Sequence, residues 1–396
     1  MRFWAIRLGS IAAAVGLCLL IDLVARSQGN DSVVSLVSRA GIFVTLAVSL
    51  NLINGITGQF SIGHAAFYMM GAYTTAVLAR AFYTQASLPG PIWLVLMMLA
   101  GAFTAGFAGL LVGLPSLKLR GDYLAIVTMG FGEILVIIAR NQKSLGEAYG
   151  LNVTPTFNYI WLIWLLAVVT IAVSRNLLKN AHGLAFLSVR EDEIAGAAMG
   201  VNVTRTKVTA FVLGSAFAGA AGSLYAHFES FISPIVFKMD TSFIILTMVV
   251  LGGTGSITGS VIAAIALFYI PEWMRDVKDV KMGMVVAIAI AIIAAVSLIK
   301  ITIDRYHGPA KQRFLRIGAF MGLGVVLSIV LAPTLGNVPA FAGNVEGSKL
   351  RYVVFAATLI ILMLLRPQGI FAHHELSWAW LKKVFLRKKP AAAVSP

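Results

Sequence analysis

Charge is what this 396-residue chain has least of. Asp, Glu, Lys and Arg together make up 12% of it, where a soluble domain carries about 25%. That deficit excludes a surface bathed entirely in water. Cysteine is almost missing too. Cys18 stands alone and cannot close an internal disulfide, and no Cys/His cluster has metal-ligand spacing, so neither a disulfide framework nor a structural metal is expected. Enzymatic signatures are absent as well. Without a G-x-x-x-x-G-K-[ST] run the chain has no P-loop for hydrolysing ATP. It also lacks H-E-x-x-H, G-x-S-x-G and paired carboxylates at catalytic spacing. No catalytic residue and no cofactor is expected. Ionisable groups inside the apolar runs are few, which argues against a proton-driven carrier with its relay of Asp, Glu or His.

What is present is hydrocarbon. Hydrophobic residues make up 59% of the sequence, and the mean hydropathy is +0.88. Runs at 93–114, 157–174, 208–228, 282–298 and 353–365 approach the roughly 20 residues that a helix needs to cross a bilayer. The chain therefore reads as an all-α polytopic integral membrane protein with about 10–12 transmembrane segments. Its N-terminus has the basic start and apolar core of a signal peptide. The apolar stretch is long and lacks a small-x-small cleavage site, so a retained first span is the preferred reading. Further spans fall near 33–54, 60–83, 92–114, 122–140, 157–174 and 208–228.

Net charge is +15. The basic residues form short clusters beside apolar runs rather than one stripe with interleaved aromatics, which excludes nucleic acid as the partner. They follow the positive-inside rule instead. With the N-terminus in the cytoplasm, the stretch 242–270 decides the topology. If it returns to its starting side, 20 of the 31 Lys and Arg are cytoplasmic; if it crosses once, the share falls to 14 and the tail "WLKKVFLRKK" lies outside. The rule favours the first arrangement, with "GGTGSITG" at the tip of a hairpin and both termini cytoplasmic. Arms of about 13 residues reach only about 20 Å, so a re-entrant or strongly tilted pair is expected.

Three stretches invite a functional reading. "NGITGQFSIGHAAFYMMGAY" at 54–73 places Gln59, Ser61 and His64 among glycines inside apolar sequence. "GGTGSITG" does the same with Thr254 and Ser256. Such stretches allow close helix packing, or broken helices whose free backbone groups line a polar path. Glu133 lies within a span, where a carboxylate faces a cavity or a partner; Arg140, two turns away, is one candidate. The loop 175–207 contains "SVREDEIAGAAMGVNVTRTK". There, residues 191–199 read as a short helix with acidic residues at its N-terminus and Gly200 as C-cap. It is either an ordinary surface helix or a docking helix for a cytoplasmic partner.

These stretches resemble the branched-chain amino acid ABC importer permeases of the LivM type. The resemblance rests on "GITGQFSIGHAAFYMMGAY" at 55–73, "LRGDYLAIVTMGFGEI" at 119–134 and "REDEIAGAAMGVNVTRTKVTAFVLGSAFAGAAGSLYAHF" at 190–228. "LGGTGSITGSVIAAI" at 251–265 and "LLRPQGIF" at 364–371 complete the order. It implies a permease subunit of the bacterial inner membrane, with a homologous second permease, two cytoplasmic ATP-binding subunits and a periplasmic amino-acid-binding protein as partners. Leu, Ile or Val would be the cargo; related permeases for urea or short-chain amides, or a self-sufficient secondary carrier, are the alternatives. The loop near 190–200 resembles a coupling helix, with Arg190, Glu191, Asp192, Glu193 and Gly200 facing the ATPase. Its sequence does not match E-A-A-x-x-x-G position by position. The path would be lined by Gln59, Ser61, His64, Glu133, Thr254 and Ser256.

The resemblance divides the chain into a transmembrane core at 1–272 with its coupling loop at 175–207, and a final transmembrane helix at 348–371. A two-helix insertion at 273–347, absent from the family pattern, separates them. A basic cytoplasmic tail at 372–396 ends the chain, and membrane lipid surrounds the whole.

Overall fold

The computed structural model describes residues 2–83, 88–116 and 123–273, together with 280–281, 287, 344–345 and 369. Helices dominate it: α1 (Arg2–Ser27), α2 (Asp31–Asn51), α3 (His64–Phe82), α4 (Gly90–Ser116), α5 (Tyr123–Asn141) and α6 (Ile160–Lys179). The short α7 (Ala181–Glu191) and α8 (Glu193–Ala198) follow, then α9 (Val203–Glu229), α10 (Met239–Gly252) and α11 (Ile257–Trp273). Among the described residues, five helices are long and apolar enough to cross a bilayer: Asp31–Ile56, Gly90–Leu114, Tyr123–Asn141, Ile160–Lys179 and Val203–Glu229. The protein is a multi-pass membrane protein. The expected insertion at 273–347, last helix at 348–371 and tail at 372–396 fall outside the described residues, save for the short pieces named above.

Local chemistry starts these helices. The Asn30 side chain accepts the Ser32 N–H at the head of α2, and the Asn202 side chain accepts the Arg205 N–H at the head of α9. Each satisfies one of the donors a helix start leaves free. Asp31 adds a negative charge where the α2 dipole favours it.

The core is a crossing of α9 with α3 and α4. Lipid gives helices no hydrophobic reason to associate, so they hold together by close approach through small residues. A Cβ on Gly71 would collide with the Gly219 carbonyl, one on Gly219 with the Gly101 carbonyl, and one on Gly222 with the Tyr68 carbonyl. Ser223 Oγ on α9 adds a hydrogen bond to the Gly71 carbonyl on α3 at 3.4 Å. Thr74 and Thr104 join α3 to α4 at 3.0 Å.

The two ends of α9 define two faces. At the Glu229 face, Arg39 holds Glu229 at 2.6 Å, and a two-residue antiparallel ladder pairs β1 (Leu151–Asn152) with β2 (Phe231–Ile232). Nearby, Trp93 Nε1 donates to His227 Nε2 at 3.2 Å, and His227 Nδ1 donates to the Pro155 carbonyl at 2.8 Å. The other face carries α7, α8 and Lys207. A second ladder pairs β3 (Val280–Lys281) with β4 (Asn344–Val345), bringing together two strands separated by 62 residues of sequence.

Candidate functional site

The expected span at 60–83 starts as a helix only at His64. Before it, α2 continues from Asn51 into a π-helical turn, Leu52–Ile56; such turns are rare and gather at functional sites. Thr57 Oγ1 then donates to the Ile53 carbonyl at 2.7 Å, and the Gln59 N–H donates to the same carbonyl at 3.1 Å. Gly58 sits at φ +69°, a conformation that reverses the chain without steric cost in a residue lacking Cβ. Asn54 fixes the return: its Nδ2 donates to the Ser61 carbonyl at 3.0 Å and its Oδ1 accepts the Ser61 N–H at 3.2 Å. Neighbouring helices satisfy the donors at the start of α3. Thr128 Oγ1 on α5 accepts the Ile62 N–H at 3.2 Å, and Ser242 Oγ on α10 accepts the Ala65 N–H at 3.0 Å.

The "GGTG" stretch forms a second tight turn, between α10 and α11. Gly253 takes φ +112°, the Ser256 N–H bonds the Gly253 carbonyl at 3.0 Å, and Ser256 Oγ caps α11 by accepting the Gly259 N–H at 3.1 Å. Gly252 and Gly259 pack backbone to backbone across the pair. Asn51 clamps this turn to α2. Its Oδ1 accepts the Gly255 N–H at 2.9 Å and its Nδ2 donates to the Ser256 carbonyl at 3.1 Å. A Cβ on Gly55 would collide with both Asn51 Oδ1 and Gly255 N, so the two turns touch. Gly369, within the "LLRPQGIF" stretch, abuts Gly253.

The candidate path residues fall into three places. Gln59, Ser61 and His64 share the first turn and are buried. His64 Nε2 meets Ser49 Oγ at 2.8 Å, while His64 Nδ1, Ser61 Oγ and Gln59 Oε1 are buried with no hydrogen-bond partner among the described residues. Buried polar atoms of that kind usually mark a water or ligand. Ser256 is buried at the second turn, with Thr254 half-buried beside it. Glu133 is half-buried and lines a cleft with Ile62, Gly63, Ala66, Met239 and Ser242, so it faces the start of α3. Among the described residues no ion pair joins it to Arg140. Sequence reasoning missed Asn51, Ser49, Thr128 and Ser242. The signal available for Asn51 and Ser49 was a polar residue inside a long apolar run.

In the loop 175–207 the short helix is Glu193–Ala198, inside the expected 191–199. Asp192 is its N-cap, its Oδ1 accepting the N–H groups of Ile194 and Ala195 at 2.8 and 3.1 Å. Gly200 follows the end of the helix at φ +85°. Arg190 pairs with Glu191 at 2.6 Å, and Glu193 pairs with Lys207 on α9. The helix α7, which precedes α8, was not anticipated. Ile194 and Met199 are 74% and 85% exposed, an apolar face left open by the described residues. The loop also meets the first turn: a Cβ on Gly58 would lie 3.2 Å from Arg190 Cγ, and Gln59 Nε2 donates to the Lys207 carbonyl at 3.2 Å.

Comparison with known proteins places this arrangement. The family described as the permease component of the branched-chain amino acid transport system matches residues 32–296. The chain is similar to the high-affinity branched-chain amino acid transport system permease protein LivM of Salmonella typhimurium and to that of Escherichia coli. Each is 36% identical over 278 residues, covering 61% of this chain and 64% of the relative's length. It is also similar to the LivH permease protein of Escherichia coli, 24% identical over 255 residues, covering 57% of this chain and 79% of the relative. No solved structure gives a significant match.

Proposed function

This chain belongs to the family of branched-chain amino acid transport system permease components, and from that premise we propose that it is the membrane-spanning subunit of an ATP-driven importer for leucine, isoleucine or valine. Its partners are a LivH-like second permease, two cytoplasmic ATP-binding subunits and a periplasmic amino-acid-binding protein. The observation that carries the proposal is the contact of the helices on either side of α8, α7 through Arg190 and α9 through Lys207, with the first glycine turn. An exposed apolar helix with charged neighbours meets, through Arg190 and Lys207, the polar turn that starts α3. A docked ATPase could act on the membrane interior by that route. Arg190, Glu191, Asp192, Glu193 and Gly200 then form the docking element.

The path runs past Gln59, Ser61, His64, Glu133, Thr254 and Ser256. An aliphatic amino acid needs fixed dipoles for its charged ends and apolar surface for its side chain. The start of α3 beside Met129 and Phe237, which line the same cleft as Glu133, offers both. The pair α10–α11 is a re-entrant hairpin, a reading supported by its short arms of 14 and 17 residues. The termini are cytoplasmic, on the strength of the Lys/Arg distribution. The insertion 273–347 is peripheral, which the β3–β4 pairing of its two ends supports.

Co-purification with a P-loop ATPase and leucine uptake by the reconstituted assembly test the reading. Charge swaps Arg190→Glu and Glu193→Lys should uncouple ATP hydrolysis from uptake. Normal coupling in both variants removes α8 as the docking element. Uptake by this chain alone, abolished by an ionophore, makes it a secondary carrier. Urea uptake in place of leucine makes it a relative with other cargo.

A further inference from the structure

A series of polar contacts runs from the exposed α8 to the buried turn at 253–256. Glu193 pairs with Lys207 Nζ. The Lys207 carbonyl accepts from Gln59 Nε2 at 3.2 Å, and that same amide donates to Thr57 Oγ1 at 3.0 Å. Thr57 donates in turn to the Ile53 carbonyl at 2.7 Å, within the π-helical turn that follows Asn51. Asn51 then grips the Gly255 N–H and the Ser256 carbonyl. Gln59, Thr57 and Asn51 are 4%, 2% and 0% exposed, so water has little access to replace a broken member.

Local turn stabilisation alone does not require these partners. A threonine bonding its own preceding turn is ordinary. Here, however, Gln59 reaches the base of a helix 148 residues on, and Asn51 reaches a turn 205 residues on. In a medium without water, a displaced buried donor loses its partner outright, so linked elements move together or leave a costly orphan. Gly58, between Thr57 and Gln59, and Gly255, whose N–H Asn51 holds, both have positive φ, so the series passes residues where the backbone can swing.

We propose that Asn51, Thr57 and Gln59 are positioning residues, forming a hydrogen-bonded relay that carries displacement of α8 to the 253–256 turn. This rests on the reading of α8 as the contact with the ATPase. The relay sets how tightly ATP hydrolysis is tied to passage of the substrate, and not how tightly the substrate binds.

The test uses the full assembly in proteoliposomes and reads leucine taken up per ATP hydrolysed. Thr57→Val removes the oxygen and keeps the shape. Asn51→Asp keeps the acceptor for Gly255 and loses the donor to Ser256. Each should lower the ratio about tenfold with half-saturating leucine within about twofold, a size usual for coupling between sites. Thr57→Ser should restore the ratio. The double variant should fall no further than the worse single one, because both lie on one series. Multiplied losses, an unaltered ratio, or a shift in half-saturating leucine alone would each overturn the relay. If Asn51→Asp does not assemble, the Val and Ser variants at Thr57 decide. A second readout needs neither leucine nor ATPase: in the purified chain, Glu193→Lys should speed hydrogen exchange in residues 251–258. Unchanged exchange there overturns the relay, whereas a wild-type assembly without leucine uptake overturns only the importer reading.

Discussion

Glycine serves this molecule in two ways, and they are best seen side by side. At the crossing of α3, α4 and α9, Gly71, Gly101 and Gly219 lie within regular helices and let backbones touch. At the turn between α10 and α11, Gly253 adopts a backbone conformation open to few other residues, and the helix stops. The first group removes side chains so that helices can approach. The second removes a Cβ so that the chain can change direction. The same letter in the same apolar setting thus encodes rigid packing in one place and a potential hinge in the other.

Three substitutions sharpen that contrast. Gly219→Val should have the largest effect, since its Cβ would collide with the Gly101 carbonyl and with Ala105 Cβ, and neither is flexible enough to yield. Overpacking of this kind costs about 3 kcal/mol or more, and loss of the monodisperse peak after detergent extraction is the expected outcome. Gly253→Ala should come next. Strain at its φ of +112° is worth about 1–3 kcal/mol, so the chain should still be extracted intact while leucine uptake falls. If uptake survives and the protein unfolds instead, the turn belongs with the packing group. Gly130→Ala should do least. None of the described residues lies within 4 Å of a Cβ there and the position is helical, so a gain of about 0.5–1 kcal/mol in thermal unfolding is expected.

The same division explains what could be read in advance. Apolar runs announced the helices, because spanning about 30 Å of hydrocarbon fixes their length. The acidic start and Gly200 announced α8, because capping chemistry is local. Glycine density marked both turns. It could not say that the first would begin α3 at His64 rather than near 60, which depends on Thr128 and Ser242 from other helices supplying acceptors. Of the candidate residues, Gln59, Ser61 and His64 were visible as polar letters in a greasy run. Asn51 was equally a polar letter in an apolar run, but its role was not legible, because it comes from partners about two hundred residues downstream.

By itself the sequence determined a helical membrane protein, the position of its main apolar runs and, through ordered motifs, its family. Those properties follow from composition and short-range chemistry, which the bilayer enforces on every segment alike. Only the tertiary structure decided which glycines pack and which turn, and that Asn51 ties α2 to the 253–256 turn. It also brought Arg190 and Lys207 against the start of α3. Each of these depends on a donor meeting an acceptor, or a backbone meeting a backbone, across long stretches of chain. Such meetings are fixed by packing geometry and leave no local signature.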